Sequence, residues 1–199
     1  MGQYTDSNGL SHGFQRTPSG TVTTIDYPEA LDSSALDINK HGDIVGGYGD
    51  QFTSTGFLLH DGMFSSIADP NAAPMQTVAI GINASGLVSG SYTDTAGTDH
   101  GFLLRGTDYM TVDFPMAGFT DGDRINDSGQ LVGGYFSGGP SHGFVYDSTR
   151  NQFLSFDAPD VASSLARGIN NWGQVTGVYR SFIDTSQHGF IASPYAAQP

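Results

Sequence analysis

The sequence predicts an all-β fold, most simply a five-bladed β-propeller whose blades hold up to four antiparallel strands. Three observations carry this prediction. A unit of about 44 residues recurs along the chain, its landmarks keep one order, and no window sustains apolar residues at helical spacing.

The first landmark is a Gly-Phe pair, at Gly13-Phe14, Gly56-Phe57, Gly101-Phe102, Gly143-Phe144 and Gly189-Phe190, with Phe-to-Phe intervals of 43, 45, 42 and 46 residues. Upstream of four of these pairs stands Ile-Asn-x-x-Gly, starting at Ile38, Ile82, Ile125 and Ile169. Each copy runs through an apolar pair and small residues into a tyrosine: Tyr48, Tyr92, Tyr135 and Tyr179. Tyr4 sits at the same offset before the first Gly-Phe. The third landmark is Asp-x-Pro, at Asp26-Tyr27-Pro28, Asp113-Phe114-Pro115 and Asp157-Ala158-Pro159, with Asp69-Pro70 as a shortened form.

Each unit divides into four short strands, one ending at Ile-Asn, one at the tyrosine, one carrying Gly-Phe and one ending at Asp-x-Pro. Four strands in 40 to 50 residues is the content of a propeller blade. The Asn and Gly of Asn-x-x-Gly tolerate the left-handed conformations of a tight hairpin, and Pro after the fourth strand removes a ladder donor. In His100-Gly101-Phe102-Leu103-Leu104, alternation puts His100, Phe102 and Leu104 on one face and Gly101 and Leu103 on the other. Both faces therefore carry apolar groups, as stacked sheets require. The glycine is expected to let a neighbouring sheet's aromatic approach. The whole chain, 1–199, reads as one domain with units of about 1–35, 36–79, 80–122, 123–166 and 167–199. An open solenoid or β-prism-like stack, and a four-bladed ring with leftover strands, are the competing architectures. The first unit lacks its first strand and the last its fourth, so the termini are expected either to meet in one blade or to leave short ones.

Twenty acidic residues against seven basic ones give a formal charge of −13, which repels a phosphate backbone, so neither nucleic acid nor an anionic membrane is an expected partner. No apolar run is long enough to span a bilayer, and the N-terminus has neither the basic segment nor the apolar core of a signal peptide. Because the chain opens inside a repeat, Met1 reads as added to a mature or excised segment. The absence of cysteine excludes disulfides and thiolate chemistry without indicating a compartment. A monomer is expected, with edge-mediated oligomerisation as the alternative.

His-Gly-Phe preceded by Ile-Asn-x-x-Gly-x-x-Val-x-Gly-x-Tyr resembles the bacterial extracellular repeat family known as HAF, named for a His-Ala-Phe motif. The resemblance runs over almost the entire chain, with Gly in the place of Ala and Thr55 in the place of one His. It implies a β-repeat fold and an extracellular or periplasmic location, and it implies no activity.

Four histidines, His12, His100, His142 and His188, precede Gly-Phe pairs and would occupy equivalent points of a pseudo-symmetric ring. Repeated histidines suit ligand binding. The structural alternative is that each one holds a blade corner by bonding the Asp of Asp-x-Pro. His41 and His60 fall outside the pattern and read as surface residues. Asp6, Asp94, Asp121 and Asp123 offer hard oxygens on acidic turns, which suits Ca²⁺ as the one cofactor to consider, although the distal Glu of a complete calcium loop is absent. Ser89 and Ser137 adjoin glycines without forming Gly-x-Ser-x-Gly, and Glu29 is the only glutamate, so neither a serine triad nor paired glutamates for glycoside cleavage stand out. Trp172, unique in the sequence, occupies the hairpin turn where other units carry His41, Ser85 or Ser128, with Asn171 beside it. An exposed Trp there could stack on a sugar ring or a partner protein. The leading functional expectation is a non-catalytic module binding carbohydrate or another small ligand, since repeated positions create several similar weak sites. The alternatives are a hydrolase or lactonase-like enzyme with metal or His/Asp chemistry in a central channel, and a structural or protein-interaction platform.

Overall fold

The computed structural model describes residues 1–50, 53–158, 161–183 and 186–193, and among them eighteen strands and no helix. Pro159 of the last Asp-x-Pro and the end of the last unit lie outside the described residues. The strands form five antiparallel meanders in chain order. The first is β1 (Gly2–Thr5), β2 (Ser11–Arg16) and β3 (Val22–Ile25). The second is β4 (Asp32–Ile38), β5 (Ile44–Gly49), β6 (Ser54–His60) and β7 (Met63–Ile67). The third is β8 (Ala72–Ile82), β9 (Val88–Asp94), β10 (Asp99–Arg105) and β11 (Asp108–Val112). One parallel bridge, Ser54 to Gln76, joins these two into a continuous eight-stranded sheet. The fourth is β12 (Phe119–Ile125), β13 (Gln130–Phe136), β14 (Ser141–Asp147) and β15 (Gln152–Phe156). The fifth is β16 (Val161–Ile169), β17 (Val175–Ser181) and β18 (Gln187–Ala192). The fold is thus all-β and propeller-like. Each first strand starts ahead of the unit boundary drawn on the sequence, because Ile-Asn marks where that strand ends.

One register repeats inside every sheet. The Phe of Gly-Phe pairs with the Gly of the tyrosine strand: Gly2 with Phe14, Gly46 with Phe57, Gly90 with Phe102, Gly133 with Phe144 and Gly177 with Phe190. The ring covers that glycine so closely that a Cβ on Gly90 would lie 2.9 Å from the Phe102 ring. Phe57, Phe102 and Phe144 are fully buried as a result, and each such burial contributes about 1.5–3 kcal/mol. The expectation for the Gly of Gly-Phe is corrected in part. No aromatic from the next sheet meets it; a Cβ on Gly56 or Gly101 would instead crowd the next first strand's backbone, 3.1 Å from Ala79 N and 3.2 Å from Gly122 N. The small residues at that place on each first strand let two backbones approach.

Two belts of hydrogen bonds join successive sheets. At one end, the Asn of Ile-Asn-x-x-Gly accepts two N–H groups of its own turn on Oδ1, as Asn83 does from Ser85 and Leu87 at 2.9 and 3.0 Å. Its Nδ2 then donates to the next sheet's Asn carbonyl: Asn39 to Asn83 O (3.3 Å), Asn83 to Asn126 O (3.1 Å) and Asn126 to Asn170 O (3.0 Å). At the other end, the backbone N–H following each fourth strand donates to a buried hydroxyl on the next first strand. The pairs are Tyr27 to Ser33, Asp69 to Thr77, Phe114 to Thr120 and Ala158 to Ser164, all at 3.0–3.1 Å. The middle residue of Asp-x-Pro, where aromatic, also stacks on the next sheet's tyrosine, Tyr27 on Tyr48 and Phe114 on Tyr135, both at 3.6 Å.

The four first strands β4, β8, β12 and β16 face a common centre. Each breaks register at the same place, around Leu36, Ile80, Asp123-Arg124 and Arg167, and such a bulge re-aims side chains. Arg124 reaches from β12 to Leu36 O on β4 at 2.9 Å and to Ile80 O on β8 at 3.4 Å.

Candidate functional site

The four patterned histidines do not converge. Each pairs across strands with its sheet's tyrosine and lies against it, with ring centroids 4.9–5.2 Å apart for Tyr4–His12, Tyr92–His100, Tyr135–His142 and Tyr179–His188. Three of them also bond the Asp of Asp-x-Pro through Nδ1: His12 to Asp26 at 2.9 Å, His100 to Asp113 at 3.0 Å and His142 to Asp157 at 2.8 Å. His188 Nε2 meets Ser186 Oγ at 2.8 Å. These contacts pin the end of the fourth strand to the sheet. Burial lowers the His12 pKa less than its hydrogen bond to Asp26 raises it, so the net shift is upward. In the second sheet Thr55 stands in the histidine's place, and the buried Asp69 Oδ2 has no hydrogen-bond partner.

The four acidic candidates do not form one site: Asp6 and Asp94 lie in separate turns, away from Asp121 and Asp123 on one strand. Asp6 Oδ1 accepts N–H bonds from Asn8 and Leu10 at 2.8 and 2.9 Å, and Asp94 Oδ1 accepts them from Ala96 and Thr98 at 2.8 and 2.9 Å. Those backbone bonds, led by Leu10 and Thr98, hold both carboxyls below the ordinary range. These acids build turns, as Asx motifs do. Asp121 and Asp123 lie on β12, and burial pushes both carboxyls up. Asp123 accepts from Arg167 Nη1 at 3.1 Å. Among the described residues, no three His, Asp or Glu side chains gather where a metal ion could be held.

The central cluster was not legible as a site. Asp37, Asp123, Arg124 and Arg167 come together from three sheets, with Arg124 3.5 Å from Asp37 and Asp37 Oδ2 accepting Ile82 N–H at 3.0 Å. The signal available was slight: these residues occupy the two positions before Ile of Ile-Asn, in a chain with only seven basic residues. A second pair outside the pattern, His60 Nδ1 and Asp43 Oδ1 at 2.6 Å, sits on the rim of a groove between the second and third sheets.

The feature shaped for a ligand lies between the fourth and fifth sheets. A groove of about 450 Å³ has an apolar floor of Val145, Phe156, Ile169, Val175 and Ala192, with Leu154 along one wall. Trp172 stands at its edge, 81% exposed, on the hairpin tip of the fifth sheet. In the fifth sheet Ala192 occupies the place of Leu104 and Tyr146 in the third and fourth sheets. Between those two sheets Leu87, Leu103 and Tyr146 pack the equivalent space into core. Gln130, Asn171 and Ser193 supply polar groups at the rim. Asn171 has a structural task as well: its Oδ1 accepts Asp127 N–H at 2.9 Å and its Nδ2 donates to Asp127 Oδ2 at 2.7 Å, across the two sheets. That clasp fixes the turn that presents Trp172.

No family model matches this chain, and no curated protein matches it. Among solved structures it is similar to the X-ray structure of a protein provisionally described as a gluconolactonase, at 14% identity and a TM-score of 0.48, over 96% of this chain and 73% of that one. A likeness of this extent says nothing of chemistry.

Proposed function

We propose that this chain is a five-bladed propeller acting as a non-catalytic binding module for carbohydrate, with the groove under Trp172 as its site. The observation that carries the reading is an exposed indole at the edge of an apolar groove with amide and hydroxyl groups at the rim. Sugars present an apolar ring face to an aromatic and hydroxyls to such groups. The five meanders, the two belts between them and the shared centre of the first strands support the blade count. An extracellular or periplasmic setting and membership of the HAF-type repeats belong to the same proposal, as does monomeric behaviour.

Trp172 is the only tryptophan, so its emission reports directly on the site. Titration with a panel of mono- and oligosaccharides is expected to shift that emission to the blue for at least one sugar. Trp172→Ala, followed by calorimetry, should abolish binding of that sugar while leaving the far-ultraviolet circular dichroism unchanged. A panel with no saturable response overturns the reading.

A second reading, lactonase-like hydrolysis in the central channel, draws on one observation: Asp123 is buried at the centre beside Arg167, where burial pushes its carboxyl up against the opposing pull of the Arg167 bond. Turnover of an ester or lactone panel that Asp123→Asn removes would favour it over the binding module.

A further inference from the structure

The groove beside Trp172 has a counterpart two sheets earlier. Between the second and third sheets, two adjoining hollows of about 280 and 610 Å³ share Leu58 and Gly86 and form one trough. Its floor repeats that of the later groove. Leu58 and Val145 each follow the Phe of Gly-Phe, Ile67 and Phe156 each pair with its Gly, and Val88 and Val175 each stand six residues after the Ile of Ile-Asn.

The chemistry of the mouth differs. Where the later groove has Trp172, Leu154 and Gln130, the earlier one has Ser85, Ser65 and Asp43. An aromatic, an aliphatic wall and a neutral amide give way to hydroxyls and a carboxylate. Asp43 and Asp61 both face His60 there, Asp43 Oδ1 at 2.6 Å from Nδ1 and Asp61 Oδ2 at 3.6 Å from Nε2. His41, exposed on the neighbouring turn, lines the same mouth. On the facing hairpin Arg105 and Asp108 flank Gly106 and Thr107, one charge of each sign. The His60 bond, ahead of one from Asn39, holds the Asp43 carboxyl below its ordinary range, and the same bond leads the rise of His60. Below that raised value the imidazolium neutralises Asp43. Above it, two carboxylates without a cation stand at the end of an apolar trough, which complements a molecule with a positive head and an apolar body.

We infer that the trough between the second and third sheets binds a small primary amine with an apolar chain, its ammonium on Asp43 and Asp61 and its chain along Leu58, Ile67, Val88 and Leu104. Charge selects the ligand and apolar burial holds it. The ammonium takes the place of the imidazolium's charge, so binding releases the His60 proton. The trough is separate from the groove beside Trp172 and from Asp123, and the inference stands independently of both readings given to those.

The test uses n-hexylamine, with hexanol and hexanoate as controls of equal chain length. Calorimetry on the full chain, above the His60 value and below about pH 10 where an alkylammonium keeps its charge, is expected to show saturable binding of the amine, weaker binding of the alcohol and none of the acid. Trp172 emission, which reports on the equivalent groove, should stay unchanged. Asp43→Gln supplies the residue of the fourth and fifth sheets, where Gln130 and Gln174 accept the turn Asn's Nδ2 just as Asp43 accepts that of Asn39, at 2.8 Å in all three. That variant should fold normally and bind the amine about tenfold more weakly, the worth of one charged hydrogen bond. Ser65→Phe, at an exposed position on the wall, should fill the trough and abolish binding. Affinity in the parent should rise as pH climbs through the His60 value; His60→Gln should remove that rise and His41→Gln should keep it. Equal affinity for amine, alcohol and acid, an Asp43→Gln protein that binds like the parent, or a pH profile indifferent to His60→Gln overturns the inference. Binding that persists in Ser65→Phe places the amine elsewhere on the acidic surface and overturns it as well.

Discussion

Replacing Asn83 by Ala is the most direct test of how neighbouring sheets are held together. Asn83 is only 4% exposed. Its Oδ1 accepts from the Ser85 and Leu87 N–H groups and the Ser85 hydroxyl, and its Nδ2 donates to Asn126 O in the next sheet. Water can replace the bonds to Ser85, which is exposed, but not those to Leu87 N–H and Asn126 O, which are buried. Each of these stranded groups costs about 1–3 kcal/mol, so Asn83→Ala should destabilise by about 3 kcal/mol. Asn170 makes the same turn bonds, to Trp172 and Gln174, at a half-buried position beside the exposed Asn171 and Trp172, with its Nδ2 on Gln174 Oε1. Asn170→Ala should therefore cost only about 1 kcal/mol. Asn83→Asp keeps the turn acceptor and loses the inter-sheet donor, which isolates the second contribution. Urea unfolding followed by circular dichroism and by Trp172 fluorescence measures all three, and coincident transitions would license a two-state treatment. If Asn83→Ala proved no costlier than Asn170→Ala, or Asn83→Asp matched the parent, the turn asparagines would not be the joints between sheets.

Tyr92→Phe removes the bond to Thr111 and should cost about 1 kcal/mol in the same assay, whereas Tyr179→Phe should change stability little, since its hydroxyl bonds nothing among the described residues. Equal losses would contradict a stabilising role for the Tyr92–Thr111 bond. The pH dependence has a definite sign at each end. His12 is raised above 6.5 in the folded state, so its contribution is complete below pH 6.5 and is lost as pH climbs through the raised value. Asp147 is lowered from 3.8 to about 2, first by the Thr149 hydroxyl, so its contribution is complete above 3.8 and fades as pH falls toward 2. In unfolding midpoints measured against pH, His12→Gln should flatten the alkaline limb and Asp147→Asn the acid limb; the opposite pairing would refute both assignments.

The repeat, its strand count and the identity of the turn residues are all legible in the sequence, because each depends on local rules: alternation, the Asn and Gly of a hairpin, and Pro after a strand. The register is not contained in the spacing of Gly-Phe and the tyrosine, because a two-residue side-chain period excludes slips of one residue but not of two. The joints between sheets are not legible. Asn39, Asn83 and Asn126 look like turn residues and nothing more, because their Oδ1 does local work while the distant partner of their Nδ2 appears only once the sheets stand side by side. The same holds for Ser33, Thr77, Thr120 and Ser164, hydroxyls in strands with no sequence neighbour to bond. The sequence allows the four histidines to be ligands or staples, with the staple on the Asp of Asp-x-Pro the favoured reading, and the position of that Asp across two strands is what the structure adds for His12, His100 and His142.

Trp172 could be placed on an exposed hairpin from the alignment of turns alone. That it overhangs a groove emerges only from the packing of the fifth sheet against Val145, Leu154 and Phe156 of the fourth. A void is a property of packed neighbours, and no local pattern encodes it. Local chain chemistry therefore determined the strands, the turns and the repeat in this protein. Convergence of the first strands and the groove were decided in three dimensions, where residues separated by one or two whole repeats come within hydrogen-bonding distance.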